Sequence, residues 1–193
     1  MEFGLSQSGA THSAAESRIL TGLIGRHIGA SRSPWLHERE AQAQGLNLTY
    51  TLFDFAAMNW DESHLCAQLD NAQALGYSGV NVTYPYKQAV IACLDELAAS
   101  AKRVGAVNTV KFSSGKRIGY NTDVIGFAES MRHGLPGVAL NRVLQVGAGG
   151  GGAATAQALL ELGVGTLIVC YRDPARATTL VRNMQQSFGS SRA

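Results

Sequence analysis

Charge is scarce in this sequence and nowhere gathered. Charged residues fill 16% of its 193 positions, with sixteen basic against fourteen acidic side chains. No basic run or stripe is present, so no nucleic acid or other polyanion is expected as a partner. Long apolar runs are also missing, which argues against insertion in a membrane. The opening residues, MEFGLSQSGATHSAAES, lack the basic start and apolar stretch of a secretory signal and read as a flexible polar tail over residues 1–17. Cysteine is down to three residues, Cys66, Cys93 and Cys170, an odd number without ligand spacing. Each lies in an apolar context, and the expectation is buried free thiols in a reducing cytoplasm. None of the five histidines has a partner at metal spacing, so no metal is expected. A serine nucleophile elbow is absent, which removes support for nucleophilic hydrolysis.

What is present is an ordinary apolar content of 46% arranged in alternating periods. ILTGLIG, LTYTLFDF and SGVNVTYP read as strands. PWLHEREAQAQGL, opened by Pro34, and ESHLCAQLDNAQALGY, closed near Gly76, read as helices. KQAVIACLDELAASAKRVG reads as one amphipathic helix stopped by Gly105, and AVNTVKF–SSGK–RIGYNTD as a hairpin. Strand and helix in alternation predict an α/β domain with a mainly parallel sheet over residues 18–122. VIGFAESMRHGLPG supplies a connecting helix and break over 123–138. From 139 to 193 the order is strand, glycine turn, helix, strand, helix, the opening part of a Rossmann dinucleotide-binding domain.

The glycine turn, VGAGGGGAA, satisfies G-x-G-x-x-G through Gly147, Gly149 and Gly152, with Ala148, Gly150 and Gly151 between them. It follows an apolar strand and opens an alanine-rich helix, the context in which backbone amides and a helix N-terminus hold a pyrophosphate. At the end of the next strand, where an acidic residue would hold the ribose of NAD, stand Tyr171, Arg172, Asp173 and Arg176. Two guanidinium groups there suit a 2′-phosphate and tilt the expectation from NAD towards NADP. Asp173 either accepts a ribose hydroxyl or pairs with an arginine.

Four short segments place small polar side chains beside apolar strands: Ser31 and Ser33, then Asn81 and Thr83, then Asn108, then Asn121 and Asp123. Uncharged groups that both donate and accept suit a polyhydroxylated small molecule. Lysine is the rarer basic residue, with four copies, and Lys87 follows a strand behind Thr83 and Pro85. Such an amine can exchange the proton of an alcohol while a nicotinamide carries the hydride, and Asp123 would orient it.

Taken together, GLIGRHIGASRSPWLHE, GVNVTYPYKQ, GAVNTV, GYNTDVIGF and LQVGAGGGGAA resemble the shikimate dehydrogenase family. The resemblance implies an NAD(P)-dependent oxidoreductase of the shikimate pathway that interconverts shikimate, or quinate, and its 3-dehydro ketone. It assigns Ser31 and Ser33 to the substrate carboxylate, and Thr83, Asn108 and Asp123 to the ring hydroxyls. Lys87 becomes the acid/base with Asp123 as its partner. Gly147 to Gly152 cradle the cofactor phosphates, and Arg172, Asp173 and Arg176 face the adenosine ribose. A cytoplasmic location and a homodimer are compatible with it. The family continues beyond the point this sequence reaches, so the resemblance also implies a C-terminally truncated chain with part of its sheet uncovered. The alternative is a relative that binds the hydroaromatic acid without turning it over.

Overall fold

The computed structural model describes residues 18–192, and the tail expected over 1–17 lies outside them. Strand β1 (Ile19–Gly25) runs into a short loop and helix α1 (Ser33–Ala43), whose first turn carries Pro34 where its missing N–H costs nothing. Strand β2 (Leu48–Asp54) follows, then a 3-10 turn (Glu62–His64) leading into α2 (Leu65–Ala74), and β3 (Gly79–Val82). β1 pairs in parallel with both β2 and β3. β5 (Thr109–Ser113) and β6 (Lys116–Tyr120) form the expected hairpin. Its two turn residues, Ser114 (φ 51°) and Gly115 (φ 78°), are both left-handed, as a two-residue hairpin turn requires.

One expected element is not there. In place of a single helix after Lys87, the chain makes a 3-10 turn (Ala89–Cys93), a two-residue strand β4 (Glu96–Leu97) and a short helix α3 (Ala99–Val104). The helical spacing of Leu94 and Leu97 has another cause. Both side chains lie over Gly119 of β6, so close that a Cβ there would fall 2.6 Å from Leu94 and 3.0 Å from Leu97. The backbone N–H groups of Asp95 and Ala98 donate to Arg117 and Gly119, into the sheet rather than along a helix. Tertiary pairing has overridden local periodicity. The six strands order as β2-β1-β3-β5-β6-β4, with three of the five pairings parallel.

The cysteine expectation is also corrected. Cys66 of α2 and Cys93 of the 3-10 turn form a disulfide with Cα atoms 5.2 Å apart, and Cys170 is free but exposed. Composition around each residue could not reveal that α2 and the turn bring two of them face to face.

Helix α4 (Asp123–Gly134) leads to a second, two-stranded parallel sheet of β7 (Arg142–Val146) and β8 (Thr166–Cys170), joined through α5 (Gly150–Glu161) and followed by α6 (Pro174–Phe188). Alanines 153, 154, 156 and 158 are buried in α5. They let α5 approach α4, and Ala128, Val124, Val104 and Ala106 share one apolar cluster with Leu159, Leu160 and Leu167. Among the described residues no helix is long and apolar enough to cross a membrane.

Candidate active site

The site grows from two loops at the ends of β1 and β3. After β1, Asp54 at the end of β2 accepts the backbone N–H groups of His27 and Ile28, each at 2.9 Å, and of Ala56 at 3.0 Å. These bonds fix the loop that carries Ser31 and Ser33, whose hydroxyls are 3.1 Å apart. After β3, the chain turns at Thr83 and passes a cis peptide at Tyr84–Pro85. It then holds Lys87 by its own carbonyl, which accepts the Val107 N–H at 2.7 Å.

Lys87 Nζ lies 2.6 Å from Asp123 Oδ2, with the lysine side chain 18% and the aspartate 32% exposed. An ion pair shielded on most sides is stronger than a surface pair and must be completed by hydrogen bonds. Asn108 completes it, donating from Nδ2 to Asp123 Oδ1 at 2.7 Å. Asp123 opens α4, where the helix N-terminus favours its negative charge. Buried Asn121 accepts the Asp123 N–H at 3.0 Å and donates to the Ala106 carbonyl at 3.0 Å, which sets the direction in which α4 starts.

The glycine turn is built by geometry rather than by side-chain charge. Gly147 has a φ of 123°, and a Cβ on Gly152 would sit 2.5 Å from the Gly147 carbonyl oxygen. Only glycine meets both demands. Gln145, buried on β7, donates from Nε2 to the carbonyls of Gly147 and Gly152, both at 2.8 Å. The first N–H groups of α5 have no helical partners and form an anion-binding end. Gly150 packs against the Lys87 stem: a Cβ there would lie 3.3 Å from Lys87 Cβ. Between the turn and the β3 loop runs a cleft of about 960 Å³, lined by Thr83, Tyr84, Lys87, Gly149, Gly150, Gly151, Tyr171, Arg172, Asp173 and Arg176. Its length of glycine backbone, its helix N-terminus and its two guanidinium groups fit a dinucleotide.

The structure therefore brings Asp123 into contact with both Lys87 and Asn108, and sets Lys87, Thr83, Gly149, Gly150, Gly151, Arg172, Asp173 and Arg176 on one cleft, which Gly147, Ala148 and Gly152 do not line. Ser31 and Ser33 do not line that cleft. Ser33 lies beside the phenol of Tyr50, which donates to Asn81 Oδ1 at 2.8 Å. Burial pushes the Tyr50 phenol up to about 12, against the opposing bond from Ser33. His37 stacks on the same ring at 4.6 Å, and its own burial lowers its pKa. Asp173 spends Oδ1 on capping α6, accepting from Ala175 N at 3.0 Å and Arg176 N at 3.3 Å. Sequence reading missed Tyr50, Thr109 and Gln145. Only Gln145 left a trace there, as a lone amide among Val143, Leu144 and Val146.

Comparison with known proteins finds relatives across most of the chain. Residues 23–110 match the model of the shikimate dehydrogenase substrate binding domain. The chain is 49% identical to a shikimate dehydrogenase (NADP(+)) of Streptomyces avermitilis, across 92% of this chain and 61% of that protein. It is 44% identical to a quinate/shikimate dehydrogenase (NAD(+)) of Corynebacterium efficiens, across 89% of this chain and 61% of that one. Quinate dehydrogenase from Corynebacterium glutamicum, solved in complex with NAD, superposes with a TM-score of 0.83 at 43% identity, covering 92% of this chain and 64% of that chain. The chain thus spans a little over three fifths of the length of these relatives. By sequence and by fold, the chain is similar to the shikimate dehydrogenase family, whose substrate binding domain its residues 23–110 match.

Proposed function

We propose that this chain carries the substrate domain and the opening of the cofactor domain of an NAD(P)-dependent dehydrogenase that interconverts shikimate, or quinate, and its 3-dehydro ketone. One observation carries the reading. The Lys87 ammonium is bonded to Asp123 while its stem packs on Gly150 of the glycine turn, so one amine stands between the polar cluster and the cofactor cleft. In this reading Ser31 and Ser33 hold the acid's carboxylate, and Thr83, Asn108 and Asp123 hold its hydroxyls. Lys87 gives or takes the proton of the reacting alcohol, with Asp123 fixing the direction of its N–H groups. The nicotinamide, when bound, supplies or accepts the hydride.

Residues 18–122 form the substrate domain in this scheme, 123–138 the connector and 139–193 the cofactor part. Asp173 caps its helix through Oδ1 and pairs with Arg176 through Oδ2 at 3.7 Å, so Arg172 is the guanidinium left to meet the ribose, which favours NADP over NAD. The partner is a small hydroaromatic acid, and a cytoplasmic location accompanies the reading. The test is nicotinamide absorbance with shikimate or quinate, run beside calorimetric binding of the same acids. Turnover supports the dehydrogenase. Binding heat without turnover replaces it with a binding-only relative, and no binding of either acid removes both.

A further inference from the structure

The side chains from Tyr50 to Lys87 form an unbroken hydrogen-bond chain with the serine pair beside its first member, and its direction can be worked out. Two amides anchor it. Asn108 Oδ1 accepts the backbone N–H of Thr122 at 3.1 Å; a backbone N–H can only donate, so the Asn108 oxygen must lie there and its Nδ2 must face Asp123. Asn81 Nδ2 points at the backbone carbonyl of Asn108 at 3.4 Å; a carbonyl can only accept, so the Asn81 oxygen must face Tyr50. With both amides oriented, the hydroxyls have one choice each. Thr109 Oγ1 accepts from Asn81 Nδ2 at 3.1 Å and donates to Asn108 Oδ1 at 3.0 Å. Tyr50 donates to Asn81 Oδ1 at 2.8 Å, which leaves the lone pairs of its oxygen to the Ser33 hydroxyl beside it. The sequence of donors is Tyr50, Asn81, Thr109, Asn108, ending on Asp123, which also accepts from Lys87 on its other side.

We propose that Tyr50 and Thr109 are positioning residues, the middle links of this one-directional chain, through which occupancy of the serine pair is felt at the Asp123–Lys87 pair. The inference rests on the site assignment of the proposed function. No proton travels along the chain in this account. Aligned dipoles polarise one another, so a bond tightened at one end strengthens the next. An anion drawing on the serine hydroxyls withdraws Ser33 from the Tyr50 oxygen beside it, and the change passes through Asn81 and Thr109 to the amide that holds Asp123. Tyr50 suits the position because its ring is gripped independently: it is 5% exposed, its backbone N–H donates to Glu38 Oε1 at 2.9 Å, and His37 stacks on it.

The test uses the 193-residue chain and two readouts. The first needs no ligand: the side-chain amide resonances of Asn81 and Asn108 in ¹⁵N-labelled protein. Tyr50→Phe keeps the ring and its stacking and removes only the hydroxyl. It is expected to move the Asn108 amide as well as that of Asn81, with backbone resonances elsewhere unchanged. Thr109→Val is expected to abolish the response of Asn108 to Tyr50→Phe, and Thr109→Ser, which restores a hydroxyl, to bring it back. If Tyr50→Phe moves Asn81 alone, the chain does not transmit and the proposal is overturned, whatever the acids do.

The second readout is a double-mutant cycle of Ser33→Ala with Asp123→Asn on the dissociation constant of shikimate or quinate. Distant, independent sites would combine additively, within about twofold. We expect a coupling factor of about fivefold, falling to additivity in the Thr109→Val background and returning in Thr109→Ser. Coupling that survives Thr109→Val overturns the role given to Thr109. Should wild-type chain bind neither acid, the proposed function falls while the amide resonances still decide the chain on their own.

Discussion

Around the six-stranded sheet, the candidate site is assembled from side chains: tyrosine, asparagine and threonine hand hydrogen bonds to one another until they reach a carboxylate and a lysine. Around β7 and β8 almost the reverse holds. There the glycine turn of the candidate cofactor surface is bare backbone, and the polar side chain that shapes it, Gln145, does so by gripping two of its carbonyls. The first region can lose a link and keep its shape, because each polar bond hangs on a strand that pairs without it. The second has no such reserve, since a single added methyl at Gly152 would occupy the space of the Gly147 carbonyl. Specificity and robustness are thus divided between the regions, with Lys87 at the seam.

The largest effect that would test this division lies at that seam. Lys87→Ala is expected to lower turnover by about a thousandfold, within the range typical of general acid–base catalysis, while binding of the acid changes by no more than a few-fold. An equal loss of affinity with unchanged turnover number would make Lys87 a binding group instead. Next comes the disulfide. Cys66–Cys93 closes a loop with a sequence separation of 27 and ties the turn after Lys87 to α2. The chain-entropy estimate for such a loop is about 3.5 kcal/mol. The double variant Cys66→Ser, Cys93→Ser should lose most of that in denaturant melts, and hydrogen exchange should quicken in α2 and the 3-10 turn while α5 keeps its protection. Equal quickening in α5 would mean that the two regions do not behave separately.

A smaller change in stability, but a sharper test of function, comes from Gly152→Ala. Forcing a methyl into a filled space costs about 1–3 kcal/mol, and the glycine turn must open to take it. Nicotinamide dinucleotide binding is expected to drop by about a hundredfold, that is about 2.7 kcal/mol, while shikimate or quinate binding is unaltered. Calorimetry with each ligand separately reads both outcomes. Loss of acid binding as well would show that the turn shapes the polar cluster through Gly150 and Lys87.

The legible parts of this molecule were those where local chemistry and tertiary structure agree. Proline at the start of α1, a two-residue turn between β5 and β6, and a glycine run between an apolar strand and an alanine-rich helix all dictate their own conformation. The lysine and aspartate could be named because a motif carried them, and the structure places them 2.6 Å apart. The helix read after Lys87 failed because Leu94 and Leu97 answer to Gly119, a residue more than twenty positions away. The disulfide was missed for the same reason: a pairing across α2 and a 3-10 turn leaves no local mark. Tyr50 and Thr109 were invisible because strand alternation marks which side chains share a face but not which hydroxyls meet.

The smallest expected effect is on the open face of the second sheet, and it turns on a comparison between neighbouring residues. The register pairs Leu144 with Ile168 and Val146 with Cys170, so these four side chains share one face. Leu144 is 62%, Val146 82% and Ile168 39% exposed. The opposite face carries Leu167, 3% exposed and packed in the cluster around α5. Leu167→Ala should therefore cost about 2–5 kcal/mol by opening a cavity, whereas Ile168→Thr, one residue along, removes area that water already touches and should change stability by no more than about 0.5 kcal/mol. For a domain of this size that difference separates a clear fall in melting temperature from a shift of about 2 °C or less. Light scattering at rising concentration should show less self-association for Ile168→Thr, since an exposed apolar patch is what drives it. If Ile168→Thr instead melts as early as Leu167→Ala, then something covers this face in solution, and the second region is better buried than its neighbour rather than more exposed.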